Sequence, residues 1–141
     1  MKCSSRRKWH AVSVESVESV ESVESQALTV SEAAARFGLS AHTLRWYEQV
    51  GLVDPVPRDG AGRRRYASSD LARIEFLTKL RTTGMPVREM LRYVQLAHAG
   101  PHTAGQRKAL LETHRGRVLA RIAELHRDLE VINYKIDAYG D

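Results

Sequence analysis

The clearest hydrophobic pattern lies near the end of the chain, where apolar side chains recur at alternating steps of three and four residues as far as Tyr139. This spacing is a heptad seam, and it predicts one helix over 103–139. Such a helix is about 50 Å long at 1.5 Å per residue, which exceeds the diameter of the small domain that precedes it. We therefore expect a second copy of the chain to cover the seam. We predict an antiparallel coiled coil with a dimer interface formed by Leu111, Val118, Ile122, Leu125, Leu129, Ile132 and Ile136.

Two short segments with helix signals precede that region. Thr29-Val30-Ser31-Glu32 has the form of a capping box, which predicts a helix that begins there and runs through Phe37. Gly38 suits the left-handed conformation that ends a helix, and Ser40 is placed to cap a second helix over 41–50. A helix, a three-residue turn and a second helix are typical of a helix-turn-helix.

The pattern changes over 51–66, where prolines and glycines exclude a helix. Asp59-Gly60 is a hairpin-turn signal, so we predict a short two-stranded wing whose tip carries the consecutive arginines Arg63, Arg64 and Arg65. Two more helices are predicted, over 68–83 and 86–99. The predicted fold is mainly α: a winged helix-turn-helix domain over 27–100 with a C-terminal dimerisation helix.

The first 26 residues differ in composition from the rest. Residues 14–25 repeat Val-Glu-Ser four times, and a period of three fits neither a helix nor a strand. We predict that residues 1–26 form a disordered low-complexity tail, because they bring little apolar surface to bury. The alternative is an interaction arm, in which the basic and aromatic residues at 6–9 contact DNA or a partner.

Charge and composition narrow the function classes. The chain has a net charge of +5, and residues 28–100 hold 11 basic and 7 acidic side chains, which is the footprint of a face that meets phosphate. Cys3 is the only cysteine, which excludes an intrachain disulfide and favours a cytoplasmic protein. No stretch approaches the roughly 20 apolar residues of a membrane span. No glycine-rich phosphate loop, metal triad or nucleophile motif is present, so we do not expect an enzyme.

Three blocks of sequence, in this order along the chain, resemble the mercury-resistance-regulator (MerR) family of transcription regulators over positions 28–139. They are Leu44-Arg45-Trp46-Tyr47-Glu48-Gln49-Val50-Gly51-Leu52, then Gly62-Arg63-Arg64-Arg65-Tyr66 followed by Asp70-Leu71, then Leu80-Arg81 with Gly84-Met85. Two positions depart from the family pattern. Trp46 stands where the family commonly has a tyrosine, and Ala67 stands where it commonly has a serine or threonine helix cap.

The resemblance implies that the second helix contacts DNA. Arg45 and Tyr47 would contact phosphate or the major groove, since an arginine fork and a tyrosine hydroxyl both suit these acceptors. Core packing is the alternative for Tyr47 and for Trp46. His42 and Thr43 are further candidates, because the N-terminal end of a recognition helix is where side chains reach base edges. For His42 the alternative is an exposed polar residue without such a role.

The resemblance also implies that the wing grips the flanking DNA backbone. Arg64 and Tyr66 would anchor it there. Arg63 and Arg65 either contact phosphate as well or add only a diffuse positive field.

The implied function is that of a homodimeric transcription regulator on an inverted-repeat promoter site. Family members distort a promoter so that RNA polymerase engages both of its elements, and specificity then depends partly on DNA deformability. The expected signal is a stress or a small molecule, and the sequence specifies neither an effector nor its identity. The competing hypothesis is a coiled-coil adaptor protein whose basic domain is incidental, but an adaptor has no need for consecutive arginines on a wing.

A metal sensor is not expected. His98, His102 and His114 lie near the junction where metal sites occur in the family. Gly100-Pro101 interrupts the helix between them, and histidines alone make a weak site for a soft metal. We therefore predict neither a bound metal nor a cofactor.

Overall fold

The computed structural model describes residues 27–140. The prediction for residues 1–26 lies outside this range. The described chain consists of five α-helices and one short 3-10 helix: α1 Val30–Phe37, α2 Ala41–Gln49, α3 Ser68–Thr82, α4 Val87–Ala99, the 3-10 helix Pro101–Thr103 and α5 Ala104–Asp137. The mainly helical fold is confirmed, and each helix lies within a few residues of its predicted position.

Local capping explains these accurate boundaries. The backbone N–H of Glu32 donates to Thr29 Oγ1 at 3.3 Å, and that of Thr29 donates to Glu32 Oε2 at 2.9 Å, so the capping box is confirmed. Gly38 has a φ of 64°, the left-handed conformation expected after α1. At α3, Ala67 offers no side-chain cap, but its backbone N–H still donates to Asp70 Oδ2 at 3.0 Å. Half of that capping box therefore survives the departure from the family pattern.

The hydrophobic core lies among the first four helices. Its fully buried side chains come from α2, α3, α4 and the connections between helices: Leu44, Tyr47, Leu52, Tyr66, Ile74, Leu77 and Met90. This core fixes α2 by its inner face and leaves the outer face of the helix to solvent.

The wing differs from the predicted two-stranded hairpin. Within residues 27–140 only isolated antiparallel bridges occur, one between Arg58 and Arg64 and one between Leu28 and Tyr66. The turn is formed by Asp59–Gly62, because Gly62 N–H donates to Asp59 O at 3.0 Å and Gly62 has a φ of 78°. The arginines therefore occupy the arm that returns from the tip, so the prediction that they lie at the tip was wrong.

The long helix α5 is attached to the domain through its first turns. Leu111 packs against the core. His114 is buried, and its Nε2 lies 2.8 Å from Thr83 Oγ1 at the end of α3. Arg117 donates to both carboxylate oxygens of Glu89 on α4, at 3.1 Å to Oε1. Beyond this attachment α5 extends away from the domain. Among the described residues, no helix combines the length and apolar character required to cross a membrane.

Candidate nucleic-acid interface

The outer face of α2 is polar and exposed. His42, Arg45 and Gln49 recur at steps of three and four and are all exposed, whereas Leu44 and Tyr47 on the inner face are buried. Arg45 makes no hydrogen bond or ion pair within the described residues, so its guanidinium is available to an acceptor outside the chain. α2 thus presents an arginine, a histidine and a glutamine on a single solvent-facing strip.

Thr43 takes part in the N-terminal cap of α2. Its backbone N–H donates to Ser40 Oγ at 3.0 Å, and its own Oγ1 lies 2.9 Å from the same serine oxygen. The side chain is half-buried. It lies beside His42 at the N-terminal end of α2, so the predicted DNA-binding residues of this helix terminus are neighbours.

The wing arginines lie in three different environments. Arg63 is exposed, and its Nε lies 3.3 Å from Asp59 Oδ2. Arg64 is mostly buried and forms an ion pair with Glu48 of α2, at 2.7 Å between Nε and Oε2. Arg65 is half-buried. The wing is therefore joined to α2 by a direct ion pair between side chains 16 positions apart in the sequence.

Hydrogen bonds within the turn give the wing its shape. Asp59 Oδ1 accepts from the backbone N–H groups of Ala61 at 2.9 Å and Arg63 at 3.0 Å. These donors, with the Arg63 backbone first, lower the pKa of the Asp59 carboxyl. The carboxylate therefore stays charged and holds the turn at neutral pH.

The two tyrosines predicted to contact DNA lie in the core. Tyr47 is 0% exposed and Tyr66 is 1% exposed. Burial raises the pKa of both phenols, so they stay neutral. The structure corrects the prediction for both residues: in this conformation they support α2 and the wing from inside and present no surface to a phosphate. For Tyr47, core packing was the alternative already drawn from the sequence.

Two arginines near this surface were missed from the sequence. Arg58 Nη1 donates to Gly62 O at 2.8 Å across the wing turn. The guanidinium of Arg81 lies 5.8 Å from the ring centre of Trp46, which places a charge of α3 beside α2. The only signal for Arg58 was its position in the hairpin, and Arg81 was noted solely as part of a family block.

The histidines that were considered as metal ligands are separated. His98 Nε2 lies 3.0 Å from Asp54 Oδ1, while His114 contacts Thr83. Among residues 27–140, no three histidine, cysteine or acidic side chains are grouped as they would be around a metal ion.

The predicted seam is exposed along most of α5. Leu111 and Val118 are half-buried, whereas the five residues that follow are 45–61% exposed: Ile122, Leu125, Leu129, Ile132 and Ile136. A stripe of large apolar side chains that is this exposed to solvent in one chain is typical of a surface that binds another chain.

Comparison with known proteins agrees with the order of these elements. Residues 28–96 match the model of the MerR HTH family of regulatory proteins, and residues 71–131 match a MerR DNA-binding model. The chain belongs to the MerR family. Its folded part from α1 through most of α5 is therefore shared with a known class of transcriptional regulators.

Relatives and solved structures extend this result. An uncharacterised HTH-type transcriptional regulator of Haemophilus influenzae is 37% identical over 111 residues, which are 79% of this chain and 82% of the relative. The regulator AdhR of Bacillus subtilis is 37% identical over 92 residues, 65% of this chain and 66% of AdhR. The crystal structure of HiNmlR, a MerR-family regulator lacking the sensor domain and bound to promoter DNA, is similar with a TM-score of 0.73 and 36% identity, over 81% of this chain and 90% of HiNmlR.

This MerR-family chain is thus a transcriptional regulator with a DNA-binding domain. The relatives are regulators and not enzymes. The matching family models and relatives favour a regulator over a coiled-coil adaptor.

Proposed function

We propose that this MerR-family regulator binds an inverted-repeat promoter site as a homodimer, with α2 in the major groove and the wing on the flanking backbone. One observation carries the proposal: the Glu48–Arg64 ion pair joins the wing to α2, whose outer face carries the exposed Arg45, while the exposed apolar seam of α5 extends from the same domain. A single chain would leave that seam in water. A dimer buries it and presents two such surfaces to DNA.

The charges of α5 support an antiparallel dimer. Residues 104–121 hold five basic and one acidic side chain, whereas residues 122–140 hold two basic and four acidic side chains. An antiparallel pair brings the basic half of each helix against the acidic half of the other, whereas a parallel pair would bring like charges together.

Position and exposure along α2 and the wing suit different side chains to base and phosphate contacts. His42 and Thr43 at the start of α2 are placed to approach base edges, and Arg45 is free to bind phosphate or guanine. Arg63 and Arg65 would contact the backbone beside the wing. Arg64 has a different role in this proposal, because Glu48 holds it: it positions the wing relative to α2. HiNmlR, which is similar over 81% of this chain, is bound to promoter DNA.

The dimer would act by deforming the promoter so that RNA polymerase engages both of its elements. Two domains held rigidly by one coiled coil favour a fixed spacing of half-sites, and DNA of another shape must bend or twist to fit. An effector would change the geometry of the dimer, and its identity stays open. Because promoter DNA and RNA polymerase are its partners, we expect the regulator to work in the cytoplasm.

The salt dependence of DNA binding tests this proposal. Affinity for the promoter upstream of the chain's own gene is measured from 50 to 200 mM salt for the parent and for Arg45→Ala. Each neutralised phosphate contributes a log-log slope of about −0.9, and the dimer holds two copies of Arg45, so the slope should become shallower by about 1.8. Arg127→Ala, an exposed arginine of α5 away from the domain, is the matched control and should keep the parental slope. Equal slopes for Arg45→Ala and the parent would contradict the contact.

A further inference from the structure

A groove opens where α4 meets the first turns of α5. It has a volume of about 500 Å³ and is lined by Tyr93, Ala104, Arg107, Lys108, Leu111, Glu112 and Arg115. Three of these side chains are cationic, and the single acid, Glu112, lies 3.7 Å from Lys108 Nζ. The groove therefore joins an apolar patch, provided by Tyr93 and Leu111, to an excess of positive charge.

The α5 side of this groove continues the seam. Ala104, Lys108, Leu111 and Arg115 follow one another at steps of four, three and four residues, and the next step of three reaches Val118. Residues at these steps share one face of a helix. Whatever covers the seam in a dimer therefore extends over the groove.

The other end of α5 carries two tyrosines that are equally exposed, at 78% each. Tyr139 follows Ile136 by three residues and so continues the seam into the turn after the helix. Tyr134 lies outside the spacing of the seam. Asp137 adds a negative charge close to Tyr139.

We propose that Tyr139 of the partner subunit occupies this groove and completes the dimer interface at each end of the coiled coil. The inference rests on the proposed antiparallel dimer and adds its register. One register pairs the apolar seam positions with one another: Val118 lies opposite Ile136 of the partner subunit, Ile122 opposite the partner's Ile132, and Leu125 opposite the partner's Leu129. The next layer places the partner's Tyr139 opposite Arg115.

The chemistry of the groove suits this occupant. A tyrosine ring packs on Leu111 and Tyr93, and its face attracts the guanidinium of Arg115. Asp137 of the partner subunit brings a carboxylate toward the basic groove. A register shifted by one heptad toward the start of α5 places the partner's Tyr139 opposite Lys108, which also lines the groove. The occupant is thus the same in these two registers. The first is favoured because the shifted register would place the partner's Ile132 opposite Arg115, within the apolar part of the seam.

Cysteine cross-linking of the full chain tests the register. In a Cys3→Ser background, Arg115→Cys combined with Tyr139→Cys should give a covalent dimer under mild oxidation. The two positions are 24 residues apart in one chain, about 36 Å along a helix, so a disulfide between them must join two subunits. Each single-cysteine variant should stay uncrosslinked, whereas a parallel coiled coil would cross-link both single variants and overturn the proposal.

A second measurement uses the two tyrosines as a matched pair. Tyr139→Ala should raise the dissociation constant of the dimer about tenfold, and Tyr134→Ala should change it less than about twofold. Equal effects overturn the proposal. A dimer that does not cross-link through positions 115 and 139 overturns only this register, whereas a parent chain that sediments as a monomer overturns the proposed dimer as well.

Discussion

The ion pair between Glu48 and Arg64 gives a sharp test of how the wing is held. Glu48→Gln keeps the size of the side chain and an oxygen that can accept from Arg64 Nε, but it removes the negative charge. Both side chains are less than one-fifth exposed, at 16% for Glu48 and 18% for Arg64. The guanidinium of Arg64 is therefore poorly solvated in the variant, and water only partly offsets the loss of its negatively charged partner.

The expected size of the effect follows from this partial burial. Two unit charges 4 Å apart attract by about 4 kcal/mol at an effective dielectric constant of 20. Desolvation and the surviving neutral hydrogen bond offset much of that attraction, and we expect the free energy of unfolding to fall by about 1–2 kcal/mol. For a domain of this size, the melting temperature falls by several degrees.

The assay compares thermal unfolding and promoter binding at one protein concentration for the parent, Glu48→Gln and Glu75→Gln. Glu75 is exposed on α3 and serves as the control for loss of one acidic charge. Glu48→Gln should bind promoter DNA about three- to tenfold more weakly, although it makes the protein more positive, because the wing is no longer fixed to α2. If Glu48→Gln is as stable as the parent and binds DNA more tightly, Arg64 acts as a phosphate contact and the reasoning is refuted.

Three further results are expected. Ile122→Glu buries an unpaired carboxylate in the seam, which costs several kcal/mol, so this variant should sediment as a monomer. Val131→Glu, outside the seam, should remain dimeric. If both variants are dimers, this seam is not the interface. Tyr66 Oη is buried and has no hydrogen-bond partner within residues 27–140. Tyr66→Phe should therefore change the free energy of unfolding by less than about 1 kcal/mol and leave DNA affinity unchanged. A tenfold loss of affinity would show that Tyr66 contacts DNA. The hydrogen bond from Arg117 lowers the pKa of Glu89. The contribution of this ion pair to stability is therefore present above the ordinary carboxyl pKa and is lost as the pH falls through the lowered value. In an NMR titration, Arg117→Gln should return the Glu89 pKa toward its ordinary value, and an unchanged pKa would argue against the contact in solution.

The sequence determined those parts of the fold that depend on neighbouring residues. The capping box at Thr29 and the glycine after α1 are local signals, because a cap and the backbone it satisfies lie within four residues of each other. The heptad spacing of α5 is local in the same sense. Motif order was also sufficient to identify the family, since its blocks recur in series along the chain.

Tertiary structure decided which side chains of α2 and the wing are exposed and which are buried. Sequence alone could not tell which of Tyr47 and Arg45, two residues apart on a short helix, is exposed. The structure shows that Tyr47 is buried in the core. Tyr66 is buried for the same reason. Arg64 is bound to Glu48, and no pattern of adjacent residues encodes an ion pair across 16 positions. The turn at Asp59–Gly62 then placed the arginines on the returning arm of the wing. Local sequence specifies where a helix begins and ends, whereas the exposure of a side chain depends on the segments that pack against it from elsewhere in the chain.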